Sequence, residues 1–228
     1  MTGFKVEGRH INLREEGAGP PVVLLHCSSS HSGQWKPWFS KLSAKARVLA
    51  PDFHGYGRSA PLPEGAIWWQ ADRLLVPELS KRVGQKVHVV GHSLGGAAAV
   101  YSAVSHPESV ASLTVIEPVL FGLMGELGWP EFADAQMISE RLFELLNQGR
   151  DDEAAMAFTD FWSGDGAFGH LSPHQQTYII ETIHRVGDDW RGLRAGLEGQ
   201  LTVSDIETLD CPVHLIKGAQ PPLGTTDR

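Results

Sequence analysis

Four short runs of apolar and β-branched residues, separated by helical stretches, constrain this chain more than any other feature. The runs are Pro21-Val22-Val23-Leu24-Leu25-His26, Arg47-Val48-Leu49-Ala50, Lys86-Val87-His88-Val89-Val90 and Leu113-Thr114-Val115-Ile116. Continuous rather than alternating apolarity fits strands covered on both faces, as in a parallel sheet. Between them, residues 34–46, 67–83 and 94–105 read as helices. The first carries Trp35, Trp38, Phe39 and Leu42 on one stripe, and Pro77 is expected to kink or restart the second. Residues 4–14 alternate weakly and read as a hairpin turning near Glu7-Gly8. Strands and helices alternating with short connections imply right-handed crossovers, hence an α/β fold with a mostly parallel sheet flanked by helices.

The pattern changes after Pro118. Only helical periodicity follows, at 133–147, 153–162, 173–186 and 190–209, until Pro212-Val213-His214-Leu215-Ile216 returns to strand character. The expected division is a core of residues 1–118 and 210–228, with 119–209 an inserted all-helical cap over the sheet's carboxyl edge, where open α/β sheets bind ligands. Phe121, Leu123, Met124, Trp129, Phe132, Phe143, Phe158, Phe161 and Trp162 are expected mainly to form the cap's own core, with some lining an apolar pocket. Trp68 and Trp69 are expected to serve packing.

Composition narrows the function classes. Hydrophobic residues make up 42% and charged residues 20%, a folded rather than a disordered mix. With 19 Lys and Arg against 27 Asp and Glu the net charge is −8, which argues against nucleic acid as a partner. No apolar run is long enough for a membrane span, and the start lacks a basic segment followed by an apolar one, so a cytoplasmic protein with no membrane partner is expected. Cys27 and Cys211, the only cysteines, form neither a disulfide framework nor a zinc pattern. No G-x-G-x-x-G follows a strand and no histidine or carboxylate spacing suggests a metal, so no cofactor is expected.

The residues that carry chemistry are Gly91-His92-Ser93-Leu94-Gly95-Gly96, directly after one strand run and directly before an alanine-rich helix. A serine oxygen projecting from a tight strand-to-helix turn needs neighbours without a Cβ, and the following helix points its N-terminus at the reacting centre. The competing reading is a glycine-rich turn in which Ser93 only caps the helix. His92 is expected to pack beside the turn.

Two further segments appear in order with this one. His26 ends the first buried strand, and Pro51-Asp52-Phe53-His54-Gly55-Tyr56-Gly57-Arg58-Ser59 follows the second in the pattern D-x-x-G-x-G-x-S. Together the three motifs resemble the α/β-hydrolase superfamily over nearly the whole chain. The resemblance implies Ser93 as nucleophile, the backbone N–H groups of Leu94 and Ser28 as oxyanion hole, and Glu117 after the fourth strand run as acid, with Asp227 a weaker candidate. Cys27 stands where the family commonly has glycine and is expected to be a small buried hydrophobe. Asp52 and His54 are expected to brace their loop; Ser29, Ser30 and His31 either bind substrate or cap the next helix.

In the family the base histidine follows a final strand, for which no room remains before Arg228. The expectation is a sequence truncated relative to a complete hydrolase, weakly active, with an uncovered sheet edge open to self-association. A serine nucleophile implies a small-molecule carbonyl substrate, either a small or medium carboxylic ester or a C–C bond next to a carbonyl. The alternatives are a non-catalytic hydrolase-like protein binding a small apolar ligand in the cap pocket, and a protein–protein module using the sheet edge.

Overall fold

The computed structural model describes residues 2–191 and 200–218. Its strands are β1 (Thr2–Val6), β2 (Arg9–Glu16), β3 (Pro21–Leu25), β4 (Arg47–Pro51), β5 (Val87–His92), β6 (Val110–Ile116) and β7 (Val213–Ile216). They form one sheet in the order β1-β2-β4-β3-β5-β6-β7. β1 and β2 are antiparallel, β2 meets β4 antiparallel, and the remaining pairs are parallel. The expected α/β fold with a mostly parallel sheet flanked by helices is therefore present. The hairpin is there as well, turning at Glu7 and Gly8, both with positive φ (47° and 81°).

The apolar runs occupy the sheet's interior: Val23, Leu24, Leu25, Val48, Leu49, Ala50, Val87 and Leu113 are fully buried. Helices α1 (Lys36–Ser43), α2 (Trp68–Asp72), α3 (Leu75–Val83), α4 (Leu94–Ser105) and α10 (Val203–Glu207) accompany the sheet. Every residue of α4 from Leu94 to Ala103 is buried. Its glycines and alanines let the helix axis come close to the strands, which larger side chains would prevent.

Two helical expectations change in detail. The stretch expected at 34–46 opens with a short 3₁₀ turn, Ser32–Trp35, before α1. The stretch expected at 67–83 is two helices, restarting at Leu75. Pro77 is the third residue of α3, where a backbone N–H would have no intrahelical acceptor, so proline is accommodated there without a kink. Trp69 stacks on Tyr101 of α4 with ring centroids 5.3 Å apart, and Trp68 meets the same ring edge-on at 5.4 Å. Both tryptophans thus serve packing.

The described residues divide into two compact units, one running to Leu120 and resuming at Leu201–Lys217, the other comprising Phe121–Gln200 together with Gly218. The second holds α5 (Phe121–Glu126), α6 (Glu131–Asn147), α7 (Asp151–Ser163), α8 (Ala167–His170) and α9 (Pro173–Arg191). Part of the helix expected at 190–209 falls on residues 192–199, outside the described residues. Trp190 is the hub of this unit, with Phe121, Phe158, Phe161 and Trp162 all within 6.2 Å between ring centroids. These aromatics spend their surface on one another, as a small helical core requires. Among the described residues no helix is long and apolar enough to cross a membrane.

Candidate active site

The order of the strands creates the site. From β3 the chain first crosses to β4 on one side and then to β5 on the other, which makes the carboxyl ends of β3 and β5 the topological switch point, the place where open α/β sheets bind ligands. The β3–β5 ladder ends with Leu25 opposite Gly91, and β5 pairs His92 with Ile116 of β6. Residues just beyond these pairs, in the Ser28 loop, the Ser93 turn and Glu117, therefore emerge from three adjacent strands at one end of the sheet.

Ser93 has φ 54° and ψ −115°, a conformation costly for a residue with a Cβ. Main-chain hydrogen bonds hold it there. Its N–H donates to the Ile116 carbonyl at 2.9 Å, and its own carbonyl accepts from Ala97 at 3.0 Å and Val119 at 3.4 Å. Its side chain makes no capping hydrogen bond to α4, contrary to the helix-cap reading. The glycines on either side have steric reasons. A Cβ on Gly91 would collide with the carbonyl of Gly95, and one on Gly95 with the carbonyls of Leu25 and His26. Leu94 is buried and opens α4, where the first N–H groups have no intrahelical acceptors.

The loop after β3 is fixed by His26, which is fully buried. Phe53 N–H donates to Nε2 at 3.0 Å; a backbone amide can only donate, so the proton of the neutral ring sits on Nδ1 and is donated to the Cys27 carbonyl at 2.7 Å. Burial pushes the imidazole pKa down to about 4, against the upward pull of the Cys27 carbonyl and of Asp52 and Asp72. The Cys27 carbonyl and the Ser28 N–H share one trans peptide plane and point in opposite directions. The His26 bond consequently sets the direction of the Ser28 N–H. Ser29, next in the loop, has φ 49°.

Asp52 ties three segments together. It accepts from Ser32 N–H at 2.7 Å, Arg58 N–H at 3.0 Å and the Asn12 side chain at 2.8 Å. Burial raises its carboxyl pKa, but the hydrogen bonds from Ser32 and Arg58 outweigh that, and the net shift is downward. His54 donates from Nδ1 to Asp72 at 2.8 Å and from its backbone N–H to the same oxygen at 3.1 Å, both residues being buried. The loop-bracing expectation for Asp52 and His54 agrees with these bonds. His31 caps the 3₁₀ turn by accepting from Gly33 N–H at 2.9 Å. Cys27 departs from expectation: it is half-buried rather than buried, because it stands two residues past the end of β3.

Glu117 is exposed, has φ 45°, and donates its N–H to the Ile216 carbonyl at 2.9 Å. Burial lowers the pKa of His92 and the nearby charge of Glu117 partly offsets it. Asp227 lies outside the described residues. Two contributors carried no sequence signal at all, Asp72 and Gln34. The Gln34 carboxamide accepts from Cys27 N–H at 2.9 Å and lies 3.1 Å from His92 Nδ1. Among the described residues no group of three or more metal-ligating side chains gathers.

Known proteins agree with this architecture. The model of the Alpha/beta hydrolase family matches residues 22–228. A pimeloyl-[acyl-carrier protein] methyl ester esterase from Aeromonas salmonicida is 33% identical over 54% of this chain and 47% of its own length. A 2-hydroxy-6-oxo-2,4-heptadienoate hydrolase from Pseudomonas putida is 36% identical over 52% of this chain and 42% of its own. The chain spans about half the length of the curated relatives it matches. The crystal structure of an alpha/beta hydrolase from Sphaerobacter thermophilus, 20% identical, superposes with a TM-score of 0.73 over 97% of this chain and 83% of that one, which shows the common fold. With the strand order, the strained serine turn and a family match over nearly its whole length, the chain belongs to the alpha/beta hydrolase family.

Proposed function

We propose that this chain is a serine hydrolase of small or medium carbonyl compounds, cleaving a carboxylic ester or a C–C bond next to a carbonyl. The observation that carries the reading is the conformation of Ser93, a non-glycine residue with φ 54° just beyond β5 at the switch point of the strand order. Such backbone strain costs on the order of 1–3 kcal/mol and persists where its surroundings over-determine it, above all at functional sites. The names of the relatives, an esterase and a hydrolase, support the reaction class.

In the proposed mechanism Ser93 Oγ attacks the carbonyl carbon and loses its proton to a base. The carbonyl oxygen gains negative charge and is met by the N–H groups of Leu94 and Ser28. Collapse breaks the bond to the leaving group, which departs with a proton and leaves an acyl group on Ser93. Water then attacks the acyl carbon, and the acid is released. Glu117 acts as the carboxylate that orients the base and stabilises its charge.

The base is not assigned to His26, His54 or His92. Both ring nitrogens of His26 are taken by Phe53 and Cys27, the His54 ring is buried, and His92 Nδ1 accepts from Gln34, which leaves its proton on Nε2. Ester turnover, with and without an added base, tests the mechanism. With p-nitrophenyl acetate, the protein is expected to release one equivalent of p-nitrophenol in a burst that grows faster with added imidazole and disappears in Ser93→Ala. A burst that survives in Ser93→Ala contradicts the proposal.

A further inference from the structure

Gln34 sits in the 3₁₀ turn ahead of α1, next to the buried Trp35, and its carboxamide bridges two loops. One end accepts from the N–H of Cys27, the residue before Ser28; the other meets Nδ1 of His92, the residue before Ser93. The roles are unambiguous. The Cys27 N–H can only donate, so Oε1 faces it and Nε2 faces His92; Nε2 can only donate, so His92 Nδ1 accepts and the neutral ring carries its proton on Nε2. The β3–β5 ladder stops at Leu25 and Gly91, so beyond it this side chain continues the cross-linking of the two strands. Cys27 is consequently held on both sides, its N–H by Gln34 and its carbonyl by His26.

We propose that Gln34 is a positioning residue: it clamps the loop bearing the Ser28 N–H to the turn bearing Ser93, and so sets the distance between nucleophile and oxyanion donor. The inference rests on the serine-hydrolase reading above. Its physical content is that reacting groups must be held to within a fraction of an ångström, a misplacement of about 1 Å costing on the order of 10²-fold in rate. The clamp needs a carboxamide, because only that group offers an acceptor to one loop and a donor to the other on a single rigid plane. Methionine at position 34 keeps the length and loses both bonds. Glutamate keeps the acceptor for Cys27 but confronts the His92 lone pair with oxygen, and forces a proton onto Nδ1.

The test compares wild type, Gln34→Met and Gln34→Glu in two readouts, with thermal melts as a check on folding. The first is the second-order rate at which an alkyl fluorophosphonate labels Ser93; the second is the ¹⁵N–¹H spectrum of His92, which reports which nitrogen is protonated. The expected results are an Nε2-protonated His92 in wild type, an Nδ1-protonated ring in Gln34→Glu, and labelling slowed about tenfold or more in Gln34→Met. If Gln34→Met does not fold, Gln34→Glu decides through the His92 spectrum. A wild-type His92 protonated on Nδ1, a Gln34→Glu spectrum unchanged from wild type, or a folded Gln34→Met labelled at the wild-type rate overturns the role of Gln34. A wild type not labelled at Ser93 at all instead overturns the serine reading, a separate and recognisable failure.

Discussion

The Ser93 N–H donates to the Ile116 carbonyl across 2.9 Å, tying the turn after β5 to the end of β6. The next residue of β6's exit, Glu117, is tied in turn to Ile216 of β7. The strained serine is thus held by neighbours on the sheet itself, and the proposed acid leaves the adjacent strand. At the Ser93 turn and at Glu117 the restraint comes from main-chain hydrogen bonds to the neighbouring strands.

Relieving the strain at Ser93 should therefore stabilise the protein. Glycine adopts φ 54° without a Cβ conflict, whereas alanine retains it. Ser93→Gly is expected to exceed Ser93→Ala in unfolding free energy by about 1 kcal/mol in urea titrations, with neither variant labelled by a fluorophosphonate. Equal stabilities would mean that the backbone relaxes once the hydroxyl is gone.

Stability should fall on mild acidification through His26. Its folded pKa, about 4, lies below the ordinary value of 6.5, so between these limits the unfolded chain binds a proton that the folded one refuses. Stability is full above about pH 6.5 and is lost as the pH falls toward 4, by on the order of 3 kcal/mol for this group. His92 and Asp52, both shifted downward, add losses of the same sign, that of Asp52 at lower pH. Urea unfolding at pH 7.5, 6.0 and 5.0 measures this; a flat profile over that range would contradict the buried neutral imidazole.

The His54–Asp72 pair offers a contrast between breaking and softening a buried contact. Both residues are buried, and one Asp72 oxygen accepts two hydrogen bonds from His54. Asp72→Ala is expected to cost about 3 kcal/mol by leaving polar groups unpaired, while Asp72→Asn, which retains an acceptor, should cost about 1 kcal/mol. Thermal melts of the two variants separate the cases.

Gly95→Ala should damage the site more than its size suggests. The added Cβ meets the backbone oxygens of Leu25 and His26, which cannot rotate away as a flexible side chain would. A loss of about 2 kcal/mol is expected, together with slower labelling of Ser93, because the helix and the β3 loop must separate. Near-wild-type values in both measurements would contradict the close approach.

What the sequence disclosed, and what it did not, follows from range. Continuous apolar runs such as 87–90 announce strands buried on both faces, and Gly91 and Gly95 flanking Ser93 announce a turn without room for side chains; both signals are local. Gln34 and Asp72 stayed silent. Each acts on a distant partner, Gln34 on His92 58 residues away and Asp72 on His54 18 residues away, and an isolated glutamine or a helical aspartate has no spacing that marks it. The break between α2 and α3 was visible only as Pro77, which tolerates a helix start but does not say where the helix restarts. The 3₁₀ turn before α1 was hidden because the apolar stripe runs through both elements.

The most direct measurement is the intact mass of the protein after incubation with an alkyl fluorophosphonate in the presence of imidazole, followed by peptide mapping. The account predicts a single phosphonyl adduct on the peptide containing Ser93, absent from Ser93→Ala. A protein that remains unmodified, or an adduct of equal yield in Ser93→Ala, would contradict it.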